Sequence, residues 1–395
     1  MDIVFASSKG SQYRYFERLS QSSKYDSKVV TLRPGYGPLS YLFEVNYEAL
    51  KAGVSFHIER KRNKYKSIWL PNTFWWLYRL RAYIKFLLIY SRFRRYLEKH
   101  KPSVIAVWNG HRLPEQAIKL AAASCSVNVL YFENGLLPNT TTCDYSGVND
   151  ASSLPRLPEF YKNYFFESDM SLDAGVTLEV RKPHKNKRYL EQKILPFLEE
   201  EYYFIPFQVG FDSQVLINSK WIRSMDELYS VLVQTIDSIE DKAVKFVIKE
   251  HPSDICSFSK YYYKHPRILF STDNTEQLIR GAKAVITINS TVGIESLVLN
   301  KKLIVLGEAC YKIPGLVCIA DDRAALISVI NKVDGWCFDE AVRKGYLSYL
   351  TREYCLPIAW QKFSGLHDEE HILRLNQKIH SVICGIGHNR SAKVA

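Results

Sequence analysis

Short apolar runs alternate along the chain with stretches in which apolar positions recur every three or four residues, and each run is closed by a polar or glycine-containing turn. Runs of this length between helical stretches predict α/β architecture with mainly parallel sheet. In the first half, strands are predicted at DIVFAS (2–7), KVVTL (28–32), SVIAVW (103–108) and VNVLYF (127–132), with a helix at EQAIKLAAAS (115–124). In the second half they are predicted at YYFIPFQV (202–209), AVKFVIK (243–249), RILFS (267–271), AVITI (284–288), KLIVLG (302–307) and LVCIA (316–320). Two independent strand sets imply two doubly wound domains, expected at 1–190 and 191–345. A helical segment and tail are expected to follow at 346–395.

Helical patterns sharpen this picture. Ser224 followed by Glu227 has the spacing of a capping box, and Leu228, Val231, Leu232, Ile236 and Ile239 share one helix face, as a crossover helix on a sheet requires. The charged stretch 185–201 is expected to connect the halves. A third pattern, FWWLYRLRAYIKFLLIYSRFRRYLEKH (74–100), is helical but broken by Arg79, Arg81, Lys85, Arg92, Arg94 and Arg95, so it does not read as a membrane span. With Trp69, Trp75 and Trp76 beside those cations it is either a solvated domain helix or one lying on an anionic bilayer surface. Between 134 and 156 runs a polar stretch with neither helix nor strand pattern, expected to be a long loop of functional interest.

Charge and cysteines narrow the classes. The 395 residues exceed one comfortable core, and a formal charge of +12 favours acidic partners such as nucleotides, phosphorylated sugars or an anionic membrane. The eight cysteines show neither a CxxC pair nor metal-like spacing with histidine, which speaks against zinc and for a reducing compartment. The chain opens directly on a strand pattern without the apolar core of a signal peptide, so a cytoplasmic location is expected. Basic residues concentrated on one helix, with no base-reading module, argue against nucleic acid.

Candidate chemistry sits just past the predicted strands, where open α/β sheets bind ligands. Glu133 and Asn134 follow one strand and open the stretch containing Asp144 and Asn149. Asp212 follows the first strand of the second half, while Lys249, Glu250 and His251 close the next. VITINSTVGIESL (285–297) runs from a strand through Asn289, Ser290 and Thr291 into a helix carrying Glu295. The hydroxyl residues are either a helix cap or, with outward-facing N–H groups and His251 nearby, an anion site. Glu133 and Asp212, one from each half, would pair across a cleft and divide nucleophilic and proton-transfer roles. Neither a Walker A sequence nor GxGxxG is present, and there is no acidic pair suited to a metal-bound diphosphate, so no metal is expected.

ENGLLPNTTTCDYSGVN, FIPFQVGFDSQ, KEHP and NSTVGIESLVLNKKLIVLGEACYKIPGL, in this order across residues 100–335, resemble the capsule polysaccharide biosynthesis (Kps-type) family and, within it, retaining β-Kdo transferases of capsule and O-antigen assembly. The resemblance implies a GT-B-like fold of two Rossmann-type domains facing a cleft. It implies CMP-β-Kdo as donor, a glycan or glycolipid acceptor, and work at the cytoplasmic face of the inner membrane. Asp212 would be the nucleophile and Glu133 the acid/base, with the reverse assignment open. His251, Ser290 and Thr291 would hold the CMP phosphate, with Lys249, Asn289 and Glu295 at the nucleotide and Asn134, Asp144 and Asn149 in the substrate loop. A CMP-sialic or other nonulosonate transferase, inverting or not, and a non-catalytic scaffold of polysaccharide assembly are the rival readings.

Overall fold

The computed structural model describes residues 1–66, 68–167, 201–365 and 367–385. Two compact units emerge, Met1–Pro155 with Thr351–Ala395, and Arg156–Leu350. The first begins with β1 (Ile3–Ser7), α1 (Ser11–Ser22), β2 (Ser27–Thr31), α2 (Tyr41–Glu44), α3 (Tyr47–Lys64), α4 (Asn72–His100), β3 (Val104–Trp108), α5 (Leu113–Ser124), β4 (Asn128–Asn134) and β5 (Thr140–Asp144). The second contains α6 (Pro158–Glu167), β6 (Tyr202–Pro206), α7 (Ser213–Ile217), α8 (Met225–Ser238), β7 (Lys245–Lys249), β8 (Ile268–Phe270) and α9 (Thr275–Gly281). It continues with β9 (Ala284–Thr287), α10 (Val292–Val298), β10 (Lys302–Val305), β11 (Cys318–Ile319), α11 (Arg323–Lys332) and α12 (Glu340–Tyr349), after which β12 (Cys355–Pro357) and α13 (Glu369–Ile383) complete the first. All ten predicted strands are present, and the reading of an α/β chain with two Rossmann-type units is borne out.

The first sheet has the order β12-β5-β4-β3-β1-β2. Its parallel strands are covered on both faces, which is why they read as unbroken apolar runs. In β1 the alternation is sorted by face: Val4 and Ala6 join Phe86, Ile89 and Phe93 of α4, while Ile3 and Phe5 join Phe16 of α1 and Leu375 and Ile379 of α13. The second sheet is parallel throughout, in the order β11-β10-β9-β6-β7-β8. Against one face α8 lays Leu228, Leu232 and Ile236. Its start is close to expectation: Ser224 accepts from the Glu227 N–H at 3.1 Å, but the Glu227 carboxylate reaches the N–H of Arg223, one residue before the cap.

Two expectations need correction. The stretch 134–156 is not a long loop: Thr140–Asp144 forms β5, antiparallel to β4 on one side and to β12 on the other, because its three β-branched threonines suit a strand despite their polarity. The segment from 346 onward, expected as a helical segment and tail, also carries a strand, since β12 pairs with β5, and its helix α13 buries its apolar face in the first unit's core. Tyr15 O–H donates to His371 Nε2 at 2.8 Å, and His371 Nδ1–H donates to the Pro357 carbonyl, fastening this return. Of the tryptophans read beside the cations, Trp75 points into the core. The connection at 185–200, and with it the boundary near 190, lies outside the described residues, as do the last ten residues of the tail.

No helix among the described residues is long and apolar enough to cross a membrane.

Candidate functional site

In the second unit, chain order runs β6, β7, β8 to one side and then β9, β10, β11 to the other, so the topology switches between β6 and β9. A doubly wound sheet opens its ligand crevice there, outside the carboxyl ends of the strands. The loops at this point are Phe207–Asp212 after β6 and Ile288–Thr291 after β9, and they are tied together. Gln208 Nε2 donates to Asn289 Oδ1 at 2.9 Å, the Asn289 N–H donates back to Gln208 Oε1 at 3.2 Å, and Asn289 Nδ2 donates to the carbonyls of Gln214 and Asn218. Asn289 is thus buried, with its side-chain amide and backbone N–H engaged in bracing the two loops just ahead of Ser290 and Thr291.

The opening turn of α10 departs from both sequence readings. Thr291 occupies the cap position without a side-chain cap bond, while Ser290 Oγ, one residue earlier, accepts from the Val292 N–H at 3.2 Å. The N–H groups of Gly293, Ile294 and Glu295 all donate to carbonyls of Ser290 or Thr291, so there is no outward fan of amides of the kind expected from the sequence. The reason is the tightness of this seven-residue helix, whose first turn closes on itself. The Ser290 hydroxyl, accepting one bond, retains a proton to give. Glu295 sits half-buried on α10.

Asp212 caps α7. Its Oδ1 accepts from the Gln214 N–H at 3.2 Å and from Ser213 Oγ at 3.3 Å, whereas Oδ2 has no hydrogen-bond partner among the described residues. One oxygen is fixed by the backbone and the other is left for chemistry. Next along the sheet, the loop after β7 presents His251, whose Nδ1 accepts from the Ser253 N–H at 3.1 Å, so the neutral ring carries its proton on Nε2. This loop is locked to the β6 loop by Asp254, which is fully buried and accepts from Gly210 N–H at 3.1 Å and Cys256 N–H at 3.0 Å. Lys249 Nζ donates to the Asp273 carbonyl, on the β8 side of its strand.

In the first unit the same logic marks the ends of β3 and β4. Asn109 (φ 60°) and Gly110 (φ 81°) turn the chain sharply, and a Cβ on Gly110 would come within 2.7 Å of the Tyr131 ring. Asn109 Nδ2 donates to Glu133 Oε2 at 2.5 Å and the Asn134 N–H donates to Oε1 at 2.9 Å, so both carboxylate oxygens are oriented. Beside them burial, with the charge of Lys119, drives the His111 pKa down to about 4, leaving it neutral. Asn134 Oδ1 accepts from Trp360 Nε1 at 2.9 Å. Asp144 lies apart from this chemistry: it is buried, accepting from Ser146 N–H, Ser153 N–H, Ser153 Oγ and Tyr354 O–H, and its work is to fold the chain after β5. Asn149 (φ 59°) starts a short helical turn in the same stretch. Sequence reasoning missed Asn109, His111, Gln208, Asp254 and Trp360. The signal for the first two was available, since NGH directly follows a predicted strand.

Residues 170–333 match the capsule polysaccharide biosynthesis protein family. The chain is 36% identical over 253 residues to protein FixF of Sinorhizobium fredii (strain NBRC 101917 / NGR234), an alignment covering 64% of this chain and 60% of that protein. It is 32% identical over 263 residues to the capsule polysaccharide export protein KpsS of Escherichia coli, covering 52% of this chain and 66% of that one. The chain therefore spans about three fifths of the length of the first of these relatives. Among solved structures, a β-Kdo 2,7 transferase, KpsC of Thermosulfurimonas dismutans, aligns with 16% identity and a TM-score of 0.45 over 72% of this chain and 88% of its own.

Proposed function

We propose, from the match of residues 170–333 to the capsule polysaccharide biosynthesis family, that this chain is a retaining glycosyltransferase of bacterial surface-polysaccharide assembly, transferring β-Kdo from CMP-β-Kdo to a glycan or glycolipid acceptor. The observation that carries the reading is the convergence at the second unit's switch point: a carboxylate with one oxygen held and one unpartnered (Asp212), a hydroxyl with a proton to donate (Ser290), and an imidazole loop (His251) locked to the same place. The motif resemblance supports Kdo as the sugar.

In this mechanism Asp212 Oδ2 attacks the anomeric carbon, the bond to CMP breaks, and the departing phosphate takes hydrogen bonds from Ser290, Thr291 and His251. Glu133 then accepts the proton of the acceptor hydroxyl as that oxygen attacks the same carbon and releases Asp212, so two inversions give retention. Asn109 orients Glu133 for that transfer. Lys249 and Glu295 would lie at the nucleotide and Asn134 near the acceptor, and the reaction calls on no metal. A lipid-linked acceptor brings the protein to the cytoplasmic face of the inner membrane.

The test is intact-protein mass spectrometry after incubation with CMP-Kdo generated in situ. The Glu133→Gln variant is expected to accumulate one covalently bound Kdo, and the Asp212→Asn variant, which keeps the cap acceptor and hence the fold, is expected to carry none. An adduct on Asp212→Asn, or undiminished transfer by it, overturns the assignment. Product anomeric configuration by NMR separates this reaction from an inverting nonulosonate transfer.

A further inference from the structure

One helix of the first unit is apolar on the wrong side. The inner face of α4 is accounted for: Trp75, Ala82, Phe86, Ile89, Phe93 and Leu97 lie in the core. Yet Trp76, Leu77, Leu80 and Ile84, which at 100° per residue form a second stripe roughly opposite, are all exposed, Trp76 by 65% against 9% for its neighbour Trp75. Trp69, just ahead of the helix, is exposed by 86%. A row of large apolar side chains about two and a half turns long in water is a surface that something covers.

Charge identifies what. From Arg60 to Leu97 the sequence contains eleven Lys and Arg and no Asp or Glu. Some of these are used internally, Arg94 by Glu44 and Glu98 and Arg92 by the carbonyls of Thr31 and Arg33. Arg81 and Lys85 are not. They are exposed, form no ion pair among the described residues, and stand one turn apart on one flank of the apolar stripe, with Arg79 on the other. An apolar ridge edged by unpaired cations, with tryptophan at its start, matches the boundary between headgroups and acyl chains of an anionic bilayer: the stripe enters the acyl boundary, and the cations meet phosphates. A second copy of this chain would bring like charges together along the same ridge.

We infer that the outward face of α4, Trp76, Leu77, Leu80 and Ile84 between Arg79 and the Arg81–Lys85 pair, is the surface by which this protein docks in the plane of an anionic phospholipid membrane. The inference deepens the lipid-linked acceptor reading by naming the surface and its orientation, and vesicle binding is measured without donor or acceptor, so its outcome is separate from that of the adduct experiment.

The experiment is co-sedimentation of the full chain with vesicles of phosphatidylcholine, with and without phosphatidylglycerol. Wild type is expected to partition into the anionic vesicles and only weakly into the neutral ones. Trp76→Ser with Leu80→Ser, and separately Arg81→Glu with Lys85→Glu, are each expected to lower that partition by about tenfold or more, with an unchanged thermal midpoint because all four side chains are already in water. If the serine pair misfolds, the charge-reversed pair decides alone. Wild type that stays in the supernatant, variants that partition as wild type does, or self-association that is lost in the serine variant while vesicle binding is absent would each overturn the inference.

Discussion

Single residues at the strand ends divide here into those that keep hydrogen-bonding capacity to spare and those that hold their neighbours in place. Asp254 is of the second kind: at a fully buried position its two oxygens satisfy the Gly210 and Cys256 N–H groups, joining loops that belong to β7 and β6. Asp254→Ala leaves both donors without acceptors, and each orphaned donor costs about 1–3 kcal/mol. The loss is expected in urea unfolding of the full chain, with Asp254→Asn, which keeps one acceptor, falling between. The residues that sequence reasoning found, Glu133, Asp212, His251 and Ser290, share a local signature, a polar side chain just after an apolar run. Gln208, Asn289 and Asp254 act through partners 44 to 81 positions away, and a pattern read along the chain has no access to that pairing. Asn289, expected at the nucleotide, braces the two loops with its side-chain amide. Trp75 and Trp76 mark the same limit in another way: adjacent and identical in type, they point in opposite directions because a helix turns 100° per residue.

At the scale of elements, hydrophobic runs were sufficient wherever both faces of a strand are covered, which describes β1, β3, β4 and the second sheet. They failed at β5 and at the edge strand β12, which carry Thr and Cys, because these strands are held by backbone pairing more than by runs of apolar side chains. The Thr141 hydroxyl is buried and donates to the Ile358 carbonyl, a contact that turns an apparently loop-like sequence into a fitted one. Helix contacts also depend on single positions. Where α12 crosses α6, a Cβ on Gly345 would lie 1.9 Å from the Tyr161 carbonyl oxygen, so the two backbones touch. Alanine favours a helix by about 1 kcal/mol over glycine, yet forcing backbone apart costs typically about 1–3 kcal/mol or more. Gly345→Ala is therefore expected to destabilise the second unit on balance, read as a lowered denaturation midpoint. An equal or raised midpoint would mean that the helices separate at no cost.

For the molecule as a whole, the two units differ in how they meet acid. Three histidines whose pKa is driven down belong to the first unit: His57, to about 4 by burial and the charges of Lys61, Lys85 and Arg60; His111, to about 4 by burial and Lys119; and His371, by burial outweighing its bond to the Pro357 carbonyl. Each is neutral in the fold and takes a proton near pH 6.5 once unfolded, so the unfolded state binds more protons and stability falls as pH drops below 6.5 toward the folded pKa. A fully buried histidine contributes a slope of up to about 1.4 kcal/mol per pH unit, and solvent screening reduces it for His57 and His111, which are only partly buried. Glu115 opposes them, since burial raises its pKa and its neutral form is favoured by acid, but it is one group against three. Depressed carboxylates such as Asp339 of the second unit, held down chiefly by Lys162, lose their contribution only below the usual carboxylate range. Peptide-resolved hydrogen exchange at pH 5 and pH 7, corrected for intrinsic rate, is accordingly expected to show protection lost first in β1, β3, α5 and α13, with β6, β7 and β9 retained. Replacing His371 by Gln, which offers an uncharged donor and acceptor in the same place, should shift that loss to lower pH. Equal loss in both units would show that burial of these imidazoles is not what limits the protein in acid.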